Sequence, residues 1–211
     1  MDQAIFLIQD RNRKVMSPEF RNITAIILAG GKNSRMGGID KGMLPVKNVP
    51  MIAHIAKQLE PFFGEVIIGG RTDIYGFLGY RVIPDISEGM GPLMGIYSCL
   101  LASDTDLNFI TACDIPDIRI GLVREMLRLS AESDIVIPMG AGNKYEPLHG
   151  VYRKSVIPAA AGLLEDKRLR TSDLFEQVKT MFIPFDGREW YHNINTPEDY
   201  SSYAKKADDP A

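Results

Sequence analysis

From Ile23 to Leu28 the chain is almost wholly apolar and rich in β-branched residues, and the run stops abruptly at Gly30-Gly31. A short apolar run without polar alternation fits a strand buried on both faces, the kind found in the middle of parallel sheets. The residues Ile26 to Lys41 read I-I-L-A-G-G-K-N-S-R-M-G-G-I-D-K, so small and polar residues follow the strand together with three cations, Lys32, Arg35 and Lys41. Glycine admits positive φ and lets backbone approach a ligand closely, because no Cβ intervenes. Exposed N–H groups in such a turn cradle anions, and the cations neutralise them. The chemistry expected here is a polyphosphate held over the end of the first strand.

Two commoner phosphate loops are ruled out by spacing. The Walker pattern requires G-K-[ST], but Gly37 is followed by Gly38 and Ile39, and Gly30-Gly31-Lys32 does not supply the G-x-G-x-x-G of dinucleotide-binding folds. A glycine-rich turn with solvated basic residues is the plain alternative. The run L-A-G-G-x-x-S-R-M-G-x-x-K resembles the signature loop of nucleotidyltransferases that activate sugars, alcohols and cofactors. The longer run Arg35 to Gly42 resembles one branch of them, the molybdenum cofactor guanylyltransferases of the MobA type.

With 211 residues and 45% hydrophobic composition, the chain is long enough for one sizeable core. A formal net charge of -3 makes no electrostatic case for nucleic acid or an anionic membrane as partner. Two cysteines, Cys99 and Cys113, are too few for a disulfide framework and suit a reducing compartment, so a cytoplasmic enzyme is expected. The apolar stretch Ile5–Ile8 is too short, and no basic segment precedes it, so it reads poorly as a signal peptide. Residues 1–22 read as an N-terminal extension, either disordered or docked through that stretch, and 23–207 as one domain.

Further along, Met43–Val46 reads as a short extended piece and Met51–Phe63 as a helix, with Ile52, Ile55, Ala56, Leu59 and Phe62 at helical spacing. His54 lies in that helix as surface or core filler. Glu65–Ile68 is a second strand, with Gly69-Gly70-Arg71 at its carboxyl end, where open α/β sheets bind ligands. Arg71 is a nucleotide contact or an ordinary turn arginine. Tyr80–Asp85 is a third strand ending in a carboxylate, and a helix begins near Pro92 and runs to about Ala102. Leu107–Asp114 is a fourth strand, apolar until its last residue, closed by Ile115-Pro116. Then follow a helix over Gly121–Ala131, a strand over Asp134–Pro138 and an antiparallel extended segment over Tyr145–Tyr152. Helices over Val156–Leu164 and Ser172–Val178, a strand over Met181–Phe185 and a last helix through Ala204, capped by Thr196 with Pro197 first, complete the chain. Strands alternating with helices predict a parallel-dominated α/β sheet with right-handed crossovers. The resemblance sharpens this to a three-layer, Rossmann-like nucleotidyltransferase fold around a mostly parallel mixed sheet.

A buried strand ending in a bare carboxylate makes Asp114 the second informative feature. Mg²⁺ is hard, takes one or two carboxylates plus phosphate oxygens, and keeps several waters; an N-cap for the next helix is the structural alternative. Asp114 also stands in C-D-x-P, which is similar to the metal-binding stretch of the guanylyltransferases, and N-x-N-T-P-E-D at the C-terminal end resembles their closing signature. The resemblance therefore implies Mg²⁺ on Asp114 with a second oxygen from Asn195. It further implies the nucleotide base along the Leu28-Ala29-Gly30-Gly31 backbone, and Asp85 of D-x-x-x-x-x-G-P-L-x-G on the nucleotide. Gly70 stands where family members carry a nucleotide-contacting asparagine. Arg35 and Lys41 are expected on the triphosphate, with Arg35, Lys41 and Asp114 as the catalytic set. Lys144 and His149 are candidates for touching the second substrate, His149 equally a hydrogen-bonded core residue, and Arg168 and Arg170 either reach an anionic substrate or are solvated.

No Ser-His-Asp signature or nucleophilic cysteine is present. Nucleotidyl transfer needs neither, because the acceptor phosphate is itself the nucleophile and the protein aligns it and neutralises developing charge. The expected reaction joins GMP from GTP to molybdenum-loaded molybdopterin, with pyrophosphate released and transient contacts to proteins that handle the cofactor. A cytidylyltransferase acting on the same pterin or on a sugar or alcohol phosphate is the nearest alternative, and a catalytically idle nucleotide-binding module the one from another class.

Overall fold

Strand β1 (Phe20–Ala29) occupies the middle of the sheet, and its alternate residues feed two separate cores. Ala25, Ile27 and Ala29 face one layer of helices, while Ile26 and Leu28 face the other. This is why the run is apolar without alternation: neither face meets water. The computed structural model describes residues 18–30, 40–140, 144–184 and 193–208. Most of the glycine loop, with Gly31 and Arg35, lies outside the described residues.

After β1 come a single 3₁₀ turn at Lys41–Met43, the paired two-residue strands β2 (Pro45–Val46) and β3 (Val49–Pro50), and helix α1 (Met51–Leu59). Next are β4 (Phe63–Gly70), the one-turn helix α2 (Thr72–Tyr75), β5 (Arg81–Ile83), α3 (Gly91–Ala102), β6 (Leu107–Ala112) and α4 (Ile120–Leu129). The remainder is β7 (Ile135–Gly140), β8 (Lys144–Tyr145), β9 (His149–Arg153), α5 (Ile157–Glu165), α6 (Thr171–Leu174), β10 (Thr180–Pro184) and α7 (Pro197–Asp208).

The sheet runs in the order β10-β7-β9-β6-β1-β4-β5, with β8 added to β7. β9 is antiparallel to both neighbours, and the pairs β10–β7, β6–β1, β1–β4 and β4–β5 are parallel. The expected three-layer, mostly parallel mixed sheet is therefore present. α1 and α4 pack on the face shared by Ala25 and Ile27, joined by the aromatic side of α7; α3, α5 and α6 cover the opposite face. Phe109 anchors the first core, stacked on Phe63 at 5.7 Å between centroids and edge-on to His149 at 5.1 Å.

The amino ends of β1 and β6 are closed by a polar cluster. Thr105 Oγ1 donates to Thr24 Oγ1 at 2.9 Å, and Ser103 Oγ donates to Asn108 Oδ1 at 2.5 Å. Buried polar groups satisfied in this way cost little. The opposite, carboxyl ends are left to gather the site.

Several boundaries differ from the pattern read in the sequence. β1 starts at Phe20, ahead of Ile23, and α7 runs on to Asp208. α1 stops at Leu59 rather than Phe63: Glu60 still has helical geometry, but Pro61 has no N–H to donate back to the helix, and Phe63 becomes the first residue of β4. The helix expected over Ser172–Val178 is the single turn α6. Phe175 leaves it to pack edge-on against Phe182 and Tyr145, at 5.9 and 5.7 Å. The extended stretch over Tyr145–Tyr152 is divided between β8 and β9. α2 has no periodic signature and was not expected.

Candidate active site

β1, β4 and β6 are adjacent and parallel, so their carboxyl ends open on one side of the sheet. The Cys113 amide donates to the Leu28 carbonyl at 2.9 Å, which continues the ladder past β6 and sets Asp114 beside the start of the glycine loop. Beyond that loop, Asp40 holds the 3₁₀ turn by accepting from the Gly42 amide at 2.9 Å. Lys41, the first residue of the turn, sends its ammonium to Asn195 Oδ1 at 3.0 Å and to Asp114 Oδ2 at 3.5 Å. The Ile194 amide donates to the Asp114 carbonyl at 2.9 Å, while the Ile194 side chain is buried in the core. Residues distant in sequence, 41, 114 and 195, are thereby brought to one point.

Burial pushes the Asp114 carboxyl above the usual carboxylate range, and the Lys41 ammonium opposes that shift. A cation between a carboxylate and an amide oxygen is what this point accepts, and in the described chain the lysine supplies it. Among the described residues no group of three or more His, Cys, Asp or Glu converges. A divalent ion here would therefore draw one carboxylate and one amide oxygen from the protein and its remaining ligands from phosphate and water, a pattern suited to a hard cation. The donor set fits.

Asp85 follows β5 by two residues and is exposed, its carboxyl pushed upward by partial desolvation and by the neighbouring negative charge of Glu88. Its Oδ1 and Leu28 Cδ2 each lie 3.5 Å from where a Cβ on Gly95 would stand. Leu28, Gly95 and Asp85 thus border the same space, next to the end of β1.

Comparison with known proteins bears on this geometry. Residues 25–180 match the MobA-like NTP transferase domain. The chain belongs to the MobA-like NTP transferase family. A relative from Carboxydothermus hydrogenoformans, named a probable molybdenum cofactor guanylyltransferase, is 35% identical over 88% of this chain and 96% of its own length. A molybdenum cofactor guanylyltransferase from Vibrio parahaemolyticus is 29% identical, covering 85% and 94%. Among solved structures, molybdopterin-guanine dinucleotide biosynthesis protein A from Archaeoglobus fulgidus shares the fold with a TM-score of 0.73 at 19% identity, over 87% of this chain and 97% of that one.

In this MobA-like transferase one carboxyl group near the site escaped sequence reading. Glu146, between β8 and β9, is pushed up to about 7, first by burial and then by the negative charge of Asp114, with the Leu148 amide and the Asn193 side chain pulling the other way. Its one sequence signal is a solitary acid in the otherwise apolar Tyr145-Glu146-Pro147-Leu148. Asn193 Oδ1 is buried with no hydrogen-bond partner among the described residues. Glu146 therefore ties the β8–β9 connection to the segment that delivers Asn195.

A group whose folded value is raised contributes stability below its unfolded value and loses it as pH climbs through the folded one. For Glu146 that window runs from about 4.5 to about 7. Glu146→Gln is expected to flatten the decline in thermal stability across this window, by at most about 3 kcal/mol at its upper end. Melting curves of both proteins at a series of pH values check it; parallel profiles would refute it.

Other sequence candidates separate clearly. His149 is fully buried, with Nδ1 at 3.1 Å from Thr111 Oγ1, and burial lowers its pKa to about 3. It is a neutral core residue, not a contact for the second substrate; its place on a central antiparallel strand points it inward. Arg71 is exposed and paired to Asp73 within the same turn, and Arg168 is paired to Asp173 at 3.1 Å. Arg170 precedes α6, and Lys144 opens β8. His54 is half-buried, with Nε2 at 3.4 Å from the Tyr203 hydroxyl, in keeping with core filler. Both cysteines are free thiols that burial drives upward, Cys99 to about 12, so neither is an activated nucleophile.

Proposed function

We propose that this MobA-like transferase joins GMP from GTP to the phosphate of molybdenum-loaded molybdopterin, forming molybdopterin guanine dinucleotide. An acceptor phosphate oxygen bonds to the α-phosphorus of GTP as the bond to the β-phosphate oxygen breaks, and pyrophosphate departs with that electron pair. The observation that carries the proposal is the meeting of Lys41, Asp114 and Asn195 at the carboxyl end of the central strands. The names of the relatives supply the pterin and the guanine.

In this scheme the backbone from Leu28 to Gly31 lies along the base, and Gly70 lets the nucleotide pass close to β4. Arg35 and Lys41 neutralise the triphosphate, and Asp85 accepts from the two parallel donors of guanine, N1–H and the exocyclic amine. Mg²⁺ is the proposed ion, held by Asp114 and Asn195; when bound it screens the α-phosphate and the leaving oxygens. The chain's own work is alignment of two anions and exclusion of water. The reducing compartment that two unpaired cysteines suit makes the cytoplasm the proposed location.

Incubation of the protein with Mg²⁺, molybdenum-loaded molybdopterin and each nucleoside triphosphate, followed by pyrophosphate release, tests this directly. Release with GTP alone is expected. Release with CTP alone would turn the assignment to a cytidylyltransferase, and nucleotide binding without release would make the protein an idle binder. Asp85→Asn replaces one acceptor by a donor facing the guanine edge and is expected to reduce the preference for GTP over ATP by about tenfold to a hundredfold. Unchanged discrimination would remove Asp85 from the base.

A further inference from the structure

Tyr75 is the C-terminal residue of a one-turn helix that nothing in the sequence marked out, yet its hydroxyl ends beneath the phosphate-side turn. We infer that Tyr75 is a positioning residue, which holds the Asp40-Lys41-Gly42 turn and thereby aims the Lys41 ammonium at Asp114 and Asn195. Its hydroxyl donates to Asp40 Oδ1 at 2.6 Å, the same oxygen that accepts from the Gly42 amide. A hydrogen bond to an ionised acceptor is short and stronger than a neutral one. Tyr75 is 1% exposed, so no water competes for that bond.

The surroundings are shaped to admit this side chain. A Cβ on Gly42 would lie 2.9 Å from the Tyr75 hydroxyl oxygen. A Cβ on Gly70 would lie 2.9 Å from the Tyr75 ring and 2.8 Å from the Ala29 carbonyl. All three distances are closer than a methyl group tolerates, so two glycines from separate elements leave room for one tyrosine side chain. Gly70 thus has a packing reason to lack a side chain, independent of any nucleotide.

The inference rests on the proposed role of Lys41 at the triphosphate, and its test is arranged to separate the two. Tyr75→Phe keeps the ring and deletes only the hydroxyl; Asp40→Ala deletes the acceptor. In each variant, timed acylation with acetic anhydride and peptide mass spectrometry gives the reaction rate of Lys41, with Lys57 as internal reference. The Lys41 rate is expected to rise severalfold in both variants, on the order of fivefold, as the turn loosens, and Lys57 to stay unchanged. In pyrophosphate-release assays Tyr75→Phe should lower kcat by about tenfold with a smaller change in the KM for GTP, and should have no further effect on top of Lys41→Ala.

An unchanged Lys41 acylation rate in folded Tyr75→Phe would overturn the inference, as would full additivity with Lys41→Ala. Loss of folding in Tyr75→Phe transfers the decision to Asp40→Ala, where the same acylation outcome is required. If the unaltered protein releases no pyrophosphate, the transferase proposal fails, while the acylation rates still decide what Tyr75 does.

Discussion

Lys41→Met is expected to lower turnover by about a hundredfold or more, and at the same time to strengthen binding of a divalent ion in the absence of nucleotide. The first effect follows from losing a cation that neutralises phosphate charge in a site shielded from water, where each such group contributes about 3 kcal/mol. The second follows from the position of the ammonium in the described chain, 3.0 Å from Asn195 Oδ1 and 3.5 Å from Asp114 Oδ2. Those oxygens are the proposed ligands of the metal. A lysine and a metal ion cannot share them, so under this proposal the unaltered protein would bind the metal alone only against competition from its own side chain. A triphosphate that drew the ammonium away and brought further oxygens for the ion would make nucleotide and metal binding mutually supportive. Titration of Mn²⁺ by electron paramagnetic resonance, with and without GTP, reads this coupling. Equal metal affinity in Lys41→Met and the unaltered protein would show that the ammonium does not block the ion. Near-normal turnover would remove Lys41 from the phosphates.

The second large effect is expected from Asp114→Asn: turnover lower by about a thousandfold or more, with thermal stability at neutral pH no lower than that of the unaltered protein. Burial raises the Asp114 carboxyl above its ordinary value despite the lysine beside it. A raised carboxyl favours the folded state only when protonated, and that contribution is lost as pH rises through the folded value. At neutral pH an ionised Asp114 therefore strains the site, and a neutral amide of the same size relieves it. Functional groups that burden stability are common where charge must be held ready for a ligand. Calorimetric melting at neutral pH, paired with pyrophosphate release, checks both halves. A marked fall in melting temperature would mean that the ion pair with Lys41 outweighs desolvation and that Asp114 is chiefly structural. Retained turnover would take it out of the chemistry.

Alternating apolar strands and helices, the glycine stop after Leu28 and the carboxylate closing the fourth strand were all legible in the chain alone. Each is local: a strand buried on both faces must be apolar throughout, a backbone that meets phosphate must shed its side chains, and a hard cation needs an exposed oxygen at a strand end. Lys41, Asp114 and Asn195 were each recognisable by motif for the same reason. Their meeting was implied by the resemblance alone and by no local pattern, because contact between residues 41, 114 and 195 depends on which strands lie side by side. His149 and Glu146 show the same limit from opposite directions. Three residues apart on one extended segment, they differ in that β9 turns His149 into the core beside Phe109, while the β8–β9 connection holds Glu146 within the field of Asp114. Tyr75 was invisible for a further reason, since a one-turn helix is too short to show a period. Local chemistry set the sheet and its phosphate turn; only packing at a distance determined which charges face one another there, because electrostatic interaction depends on separation in space and burial rather than on position along the chain.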